Sequence, residues 1–161
     1  MSFAFLAGLP SHDPRTKVGA ALALSDGSIF IGYNGCPSGF NDDMLKGPNK
    51  YDVVIHAEAN CLAQVSLERV KRDHYAVMYV PFQPCPRCAI LMMRYGIQEV
   101  VYYGDYQSNT NDRALLELIC KGGKVDGETK LKLTRYSDLC FEPPFFIHEH
   151  FGLGPSVKSA S

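Results

Sequence analysis

The sequence lacks a surplus of basic residues, and this absence limits the class of partner that the chain can hold. Its 16 lysines and arginines face 17 aspartates and glutamates, which gives a net charge of −1 at pH 7. Proteins that bind nucleic acid non-specifically take most of their affinity from neutralised phosphates, and they usually carry a basic face. We therefore expect no stable complex with nucleic acid.

A long apolar run is also missing. No stretch approaches the roughly 20 apolar residues that a membrane-spanning helix requires. The first residues are apolar, but no basic segment precedes them, and Pro10 and His12 interrupt the run soon afterwards. This pattern does not predict a secretory signal. We expect a cytoplasmic protein with no membrane partner.

The six cysteines contain a single close pair, Cys85 and Cys88. In a reducing compartment such a C-x-x-C pair binds metal or takes part in redox chemistry more often than it forms a disulfide. A structural zinc site made of four cysteines needs a second close pair. The remaining cysteines are all isolated in the sequence: Cys36, Cys61, Cys120 and Cys140.

Length and composition are typical of one globular domain with its own core. Of the 161 residues, 46% are hydrophobic and 20% are charged. The sequence has no repeat and no visible domain boundary. We therefore expect a single domain over residues 1–161, with a frayed tail over about 154–161.

Apolar periodicity and turn signals predict strands and helices that alternate along most of the chain. After a short N-terminal helix, two strands flank a turn at residues 25–27, and residues 36–51 form a long loop. The later elements are a helix from His56 to about Val70, strands over 75–80, 97–104 and 130–136, and helices over 86–96 and 111–123. Strands joined by helices run parallel, so the pattern predicts a three-layer α/β/α fold with a mixed sheet of about five strands.

Four residues in two stretches have side chains that suit a catalytic zinc site. Cys85 and Cys88 lie at a predicted helix entry, where both sulfur atoms can face one point, and His56 begins another helix. Zinc takes such ligands in a tetrahedral arrangement, and a catalytic zinc keeps its fourth position for water. Glu58 can point towards this position and carry a proton to a substrate.

Each half of this pattern also has an ordinary explanation. A lone histidine at a helix start is more often structural, and a lone C-x-x-C pair is divided about evenly between metal binding, redox chemistry and chance. The two halves together are more specific. H-A-E, followed after 25 residues by P-C-x-x-C, reproduces the pattern of the zinc deaminases.

Three further segments match a known family: SHDPRTKVGA (11–20), GYNGCPSGFNDD (32–43) and YGIQEVVYYGD (95–105). With the zinc motif, they resemble the cytidine deaminase superfamily, and the second segment resembles its deoxycytidylate (dCMP) deaminase branch. The resemblance implies a cytidine-deaminase-like fold. It also implies zinc-dependent hydrolytic deamination of dCMP to dUMP and ammonia, a reaction of pyrimidine deoxynucleotide metabolism.

The resemblance also implies roles for individual residues. Its zinc ligands are His56, Cys85 and Cys88, with one catalytic zinc per subunit, and Glu58 is the proton shuttle that serves N3 and then the departing amino group. The residues implied to bind substrate are Asn34 at the sugar, the backbone N–H of Ala57 at the pyrimidine O2, and Pro84. Three cations remain as candidates for the 5′-phosphate: Arg15, Lys17 and Arg94.

Many members of the dCMP branch are homohexamers that dCTP with Mg²⁺ activates and dTTP inhibits. The glycine-rich segment after residue 34 resembles their effector-binding region, because backbone N–H groups can hold phosphates and carboxylates can meet Mg²⁺ through water. The effector residues that this implies are Gly35, Pro37, Gly39, Asp42 and Asp43. A flexible surface loop with an Asp-Asp turn is the ordinary alternative.

Other functions compete with this one. A tRNA adenosine deaminase shares both zinc motifs but needs a basic RNA-binding surface, and a deaminase of free cytidine generally differs around residues 32–43. A structural zinc module or a catalytically inactive regulator is the non-enzymatic alternative, and Glu58 argues against it because a purely structural site does not require this carboxylate. His148 and His150 can face the same side of a strand, but no third ligand is evident, so we interpret them as part of a polar edge.

Overall fold

A five-stranded mixed sheet forms the centre of the chain in a computed structural model that describes residues 1–105, 110–122 and 131–139. The strands are β1 (Gly19–Ala23), β2 (Ile29–Tyr33), β3 (Val77–Phe82), β4 (Glu99–Gly104) and β5 (Lys132–Arg135). Their order across the sheet is β2-β1-β3-β4-β5. Strand β1 is antiparallel to both of its neighbours, whereas β3, β4 and β5 are parallel. The predicted mixed sheet is therefore confirmed.

Six helices surround the sheet in the described part of the chain. They are α1 (Ser2–Gly8), α2 (Lys50–Val53), α3 (Ala57–Leu62), α4 (Leu67–Arg72), α5 (Pro86–Tyr95) and α6 (Thr110–Gly122). Two 3₁₀ turns occupy Asp42–Lys46 and Tyr136–Leu139. No helix among the described residues is both long and apolar enough to cross a membrane.

Two glycines allow helices to approach opposite faces of the β1–β2 hairpin. A Cβ atom on Gly19 would lie 2.1 Å from the carbonyl oxygen of Ala4 in α1. A Cβ atom on Gly32 would lie 2.3 Å from the backbone nitrogen of Cys61 in α3. Gly19 pairs with Tyr33, the neighbour of Gly32, so the two glycines face opposite sides of the sheet. Helices α1 and α3 thus form the outer layers of the expected α/β/α arrangement.

Helix α5 begins and ends where its sequence predicts. Cys85 is the N-cap, Pro86 occupies the first turn, and Gly96 follows the helix with a φ of 82°. Proline suits the first turn because its missing N–H would have no partner there, and glycine adopts a positive φ without steric cost. The start of this helix fixes the C-x-x-C pair just beyond the carboxyl end of the central strand β3.

The helix predicted from His56 to about Val70 is wrong as a single element. Helix α3 ends at Leu62, and α4 begins after Ser66, whose ψ of 143° is extended. The Ser66 side chain accepts a hydrogen bond from the backbone N–H of Arg69, so it caps a new helix instead of continuing the first. Apolar spacing runs through the break and conceals it.

Two smaller differences concern the region before α3 and the third strand. The predicted loop over residues 36–51 contains a 3₁₀ turn, which Asn41 caps by accepting the N–H of Asp43. The strand predicted over 75–80 lies at Val77–Phe82 and ends two residues later. The expected tail over 154–161, Cys140, His148 and His150 lie outside the described residues.

Candidate metal and substrate site

Three potential metal ligands from two distant segments converge at the starts of α3 and α5. The ligand atoms of His56, Cys85 and Cys88 all lie within 4.8 Å of one another. The Nδ1 atom of His56 is 3.6 Å from the sulfur of Cys85 and 3.5 Å from the sulfur of Cys88. Tetrahedral zinc with ordinary bond lengths would separate a nitrogen and a sulfur ligand by ~3.6 Å. The donor set and its spacing therefore fit a zinc ion.

The local backbone explains this convergence. His56 caps α3 and Cys85 caps α5, each in an extended conformation, so both side chains lie at helix N-termini. The Cys85 sulfur also accepts the backbone N–H of Cys88 at 3.5 Å. Partial positive charge at a helix N-terminus favours a thiolate over a thiol, and the thiolate is the form that binds metal.

The two thiols differ in acidity because they share a hydrogen bond. This hydrogen bond lowers the pKa of Cys85 below its ordinary value against the opposing effect of burial, and His56 lowers it further. The same bond, together with burial, raises the pKa of Cys88 above its ordinary value. Metal ligands must be deprotonated, so a divalent cation bound here would displace the remaining thiol proton.

Glu58 lies in the first turn of α3, close to the ligand set, and it is 6% exposed. Burial raises the pKa of its carboxyl group above the ordinary value. A carboxyl group with a raised pKa can both accept and donate a proton, as a general acid–base catalyst requires. Its position is consistent with transfer of protons instead of metal binding.

The ligand set opens onto a cavity that is lined by both apolar and polar side chains. The apolar side chains are Val18, Val54, Ala57 and Phe82. The polar and charged ones are Asp13, Arg15, Thr16, Asn34, Lys50, Tyr51, His56, Glu58, Gln83 and Cys85. Such a mixture of apolar walls and a few convergent polar groups is typical of small-molecule sites.

Of the predicted substrate residues, Asn34 and Ala57 line this cavity. The Asn34 amide is held firmly: its oxygen accepts the N–H of Val18 at 2.8 Å, and its nitrogen donates to the carbonyl of Thr16 at 2.9 Å and to Asp13 at 3.2 Å. One acceptor position on the amide oxygen remains for a ligand. Pro84 is buried next to Cys85 and lines a smaller adjoining cavity.

The five predicted effector residues do not line the cavity in the structure. Gly35 forms an isolated bridge with Ile55, and the Asp43 carboxylate pairs with Lys46 at 2.8 Å. Asp42 contacts His12 on the surface. These residues therefore form a separate region between β2 and α2.

Of the three candidate cations for the 5′-phosphate, the structure places one at the cavity and two elsewhere. Arg15 lines the cavity, whereas the Lys17 ammonium donates to the carbonyl of Leu9 at 3.2 Å and Arg94 lies exposed on α5. It also adds Asp13 and Lys50, which sequence reasoning missed. Lys50 lies in a stretch that the sequence predicts to be loop, and no spacing connects it with Asp13.

A histidine and two cysteines around a buried glutamate, in a three-layer α/β/α fold, define a zinc-dependent deaminase of nucleobases. The comparisons agree. Residues 1–104 match the model of the cytidine and deoxycytidylate deaminase zinc-binding region, so the chain belongs to this family.

Relatives and solved structures support the same assignment. The chain is 34% identical to deoxycytidylate deaminase of Mus musculus over 88% of its length and 82% of the relative's. It is 36% identical to that of Homo sapiens over 74% of its length and 70% of the relative's. A dCMP deaminase from cyanophage S-TIM5, solved in complex with dCMP and dUMP, is similar with a TM-score of 0.57 and 25% identity. That match covers 83% of this chain and 91% of the other.

Proposed function

We propose that this protein hydrolyses dCMP to dUMP and ammonia. The observation that supports this most strongly is the buried Glu58 beside His56, Cys85 and Cys88, in a cavity that also holds Arg15. The relatives named deoxycytidylate deaminases and the cyanophage enzyme with bound dCMP and dUMP make dCMP the favoured substrate.

The residues of the site have different roles in the proposed reaction. His56, Cys85 and Cys88 would hold zinc, which as a bound Lewis acid lowers the pKa of water to about 7. Glu58 accepts a proton from the attacking water and delivers it to N3, and it then carries a second proton to the departing amino group. The C4–O bond forms as N3 takes the first proton, and the C4–N bond breaks afterwards, when the amino group takes the second proton and leaves as ammonia.

Ala57 and Asn34 orient the nucleotide in this proposal. Ala57 is the first residue of α3, so its N–H has no partner within the helix and is suited to the pyrimidine O2. The free acceptor position of Asn34 is suited to a sugar hydroxyl. Pro84 fixes the backbone before Cys85, and through it the wall next to the base.

Arg15 is assigned to the 5′-phosphate, because it is the candidate cation that lines the cavity. We expect Arg15→Gln to raise KM for dCMP by about 10- to 100-fold, the value of one charge-assisted hydrogen bond, with little change in kcat. KM for deoxycytidine, which has no phosphate, should change little. Steady-state kinetics on both substrates measure this, and an equal loss on both would contradict the assignment.

An ammonia-release assay tests the function directly. It compares dCMP, deoxycytidine, CMP and a tRNA anticodon stem-loop, each with and without dCTP or dTTP. We expect the highest kcat/KM on dCMP and none on the RNA. A preference for deoxycytidine or for the stem-loop would replace the proposal with a cytidine or a tRNA adenosine deaminase.

Regulation is proposed on the resemblance to the dCMP branch. We infer activation by dCTP with Mg²⁺ and inhibition by dTTP, with the effector held by the predicted residues between β2 and α2. The 3₁₀ turn at Asp42–Lys46 gives that region a defined backbone. Unchanged rates with both nucleotides in the same assay would remove the regulatory claim and leave the enzymatic one.

A homo-oligomer, a hexamer by the same resemblance, has support in an exposed apolar face. Ile29 and Ile31 of the edge strand β2 are exposed on the side of the sheet that carries α1, where Phe3 and Leu6 are exposed too. We propose that a second copy of the chain covers this face.

Ile31→Lys should therefore yield smaller particles by light scattering, because a charge within an apolar interface is costly to bury. Leu118→Lys on α6 is the matched control, since Leu118 is also exposed and apolar but lies elsewhere. A wild-type protein of monomeric mass would contradict the oligomer.

The free thiols of the described residues fit a reducing compartment, and we propose a cytoplasmic location.

A further inference from the structure

A buried ion pair joins α2 to the segment before β1 at the cavity wall. The Lys50 ammonium lies 2.7 Å from Oδ2 and 2.8 Å from Oδ1 of Asp13. The two side chains are 9% and 2% exposed, and both residues line the cavity. Lysine and aspartate are rarely buried to this degree unless they are paired, because each loses its hydration.

The Asp13 carboxylate organises other parts of the same wall. It accepts the backbone N–H of Arg15 at 2.9 Å and that of Thr16 at 3.1 Å, and it accepts a third bond from the Asn34 amide at 3.2 Å. Burial alone would raise the pKa of this carboxyl group, but its bonds with Lys50 and the two backbone groups lower it below the ordinary value. The anion therefore persists and holds both Asn34 and the turn that carries Arg15.

An anion in this wall has a cost for an enzyme whose substrate carries a phosphate. Without a compensating cation, Asp13 would repel the phosphate across a low-dielectric cavity. Lys50 supplies that cation in a geometry that also fixes the carboxylate. Thus the pair can orient the neighbouring groups and still present no net negative charge to the substrate.

We propose that Asp13 and Lys50 act as a positioning pair for nucleotide binding: Asp13 orients Asn34 and the Arg15 turn, and Lys50 neutralises Asp13. The inference rests on the proposed function, since it presumes a substrate with a phosphate. Neither residue needs to contact the reacting atoms. Both act through the groups that Asp13 holds.

A merely structural ion pair would behave differently. Its loss would lower thermal stability but leave the ratio of KM for dCMP to KM for deoxycytidine unchanged. Lys132→Met provides a control for loss of a lysine charge away from the cavity, because Lys132 is exposed, pairs with the buried Glu99 at 2.9 Å and does not line the cavity. That variant should leave the ratio unchanged.

The decisive experiment measures kcat, KM, zinc content and melting temperature for three variants on both substrates. Lys50→Met should raise KM for dCMP by about 10-fold or more, the scale expected when one partner of a buried charge pair is removed. Its kcat and zinc content should stay close to wild type, and KM for deoxycytidine should change less. Lys50→Arg, which keeps the charge, should retain wild-type binding.

The third variant, Asp13→Asn with Lys50→Met, distinguishes two roles of Lys50: neutralisation of Asp13 and direct contact with the substrate. It removes both charges, and the amide oxygen introduced at position 13 can still accept the two backbone N–H groups, but the amide nitrogen cannot accept the bond from Asn34. KM for dCMP should therefore recover in part, and the remaining loss should also appear with deoxycytidine, because Asn34 is assigned to the sugar. A double variant whose ratio of KM for dCMP to KM for deoxycytidine stays as high as that of Lys50→Met would mean that Lys50 binds the substrate directly and would overturn the proposal. Loss of folding in both variants would also overturn it, in favour of a structural role. A wild-type protein inactive on dCMP would instead refute the proposed function.

Discussion

Glu58→Gln is expected to lower kcat for dCMP by about 10³-fold, within the range that a positioned general acid–base group contributes. Glutamine has the shape of glutamate and can still form hydrogen bonds, but it cannot take a proton from water and release it to the base. The proposed reaction needs two such transfers, so little turnover should remain.

The variant should still fold and bind zinc. Glu58 is buried, so the charged form of its carboxyl group is poorly solvated there and its pKa is raised. A neutral amide in the same place is less costly to bury than a carboxylate. Zinc content by mass spectrometry should therefore stay at one ion per chain, and the melting temperature should not fall.

Glu68→Gln is the matched control for this experiment. Glu68 also lies in the first turn of a helix, but it is exposed on α4 and away from the cavity. It should keep wild-type kinetics. If Glu58→Gln retained near-normal kcat with its zinc in place, Glu58 would not be the proton shuttle.

The sequence predicts those parts of the fold whose signals are local. Pro86 and Gly96 mark both ends of α5, and alternation of strands and helices yields the parallel part of the sheet. The break between α3 and α4 was missed because its signal is incomplete. Ser66 is followed three residues later by Arg69 and not by the glutamate or glutamine of a capping box.

The sequence likewise predicts only those residues of the candidate site that belong to local motifs. The zinc ligands and Glu58 belong to two short motifs whose chemistry can be read directly, and the structure brings the three ligands together. Asp13 and Lys50 are 37 residues apart in the chain, and their contact depends on how α2 packs against the segment before β1. No local pattern of residues encodes such a contact, so the wall of the cavity could not be predicted.

Removal of the metal is expected to abolish deamination and to lower thermal stability together. His56, Cys85 and Cys88 come from the starts of two helices, and an ion that binds all three links α3 to α5. Zinc at 1,000 times its dissociation constant would add about 4 kcal/mol to the free energy of unfolding. For a chain of this size this corresponds to roughly 8–16 °C in melting temperature.

Cys85→Ser should reproduce both losses, because a serine hydroxyl is a poor zinc ligand beside the thiolate that it replaces. Cys120→Ala is the control: Cys120 is a free, buried cysteine on α6 outside the cavity, and its variant should keep zinc and turnover. Dialysis against a chelator, followed by added zinc, should remove and then restore activity. A metal-free preparation with full activity would overturn the whole site, since Glu58 alone cannot generate a nucleophile strong enough to displace the amino group. The melting temperature provides the second reading, because it reports zinc binding even if the substrate has been misassigned.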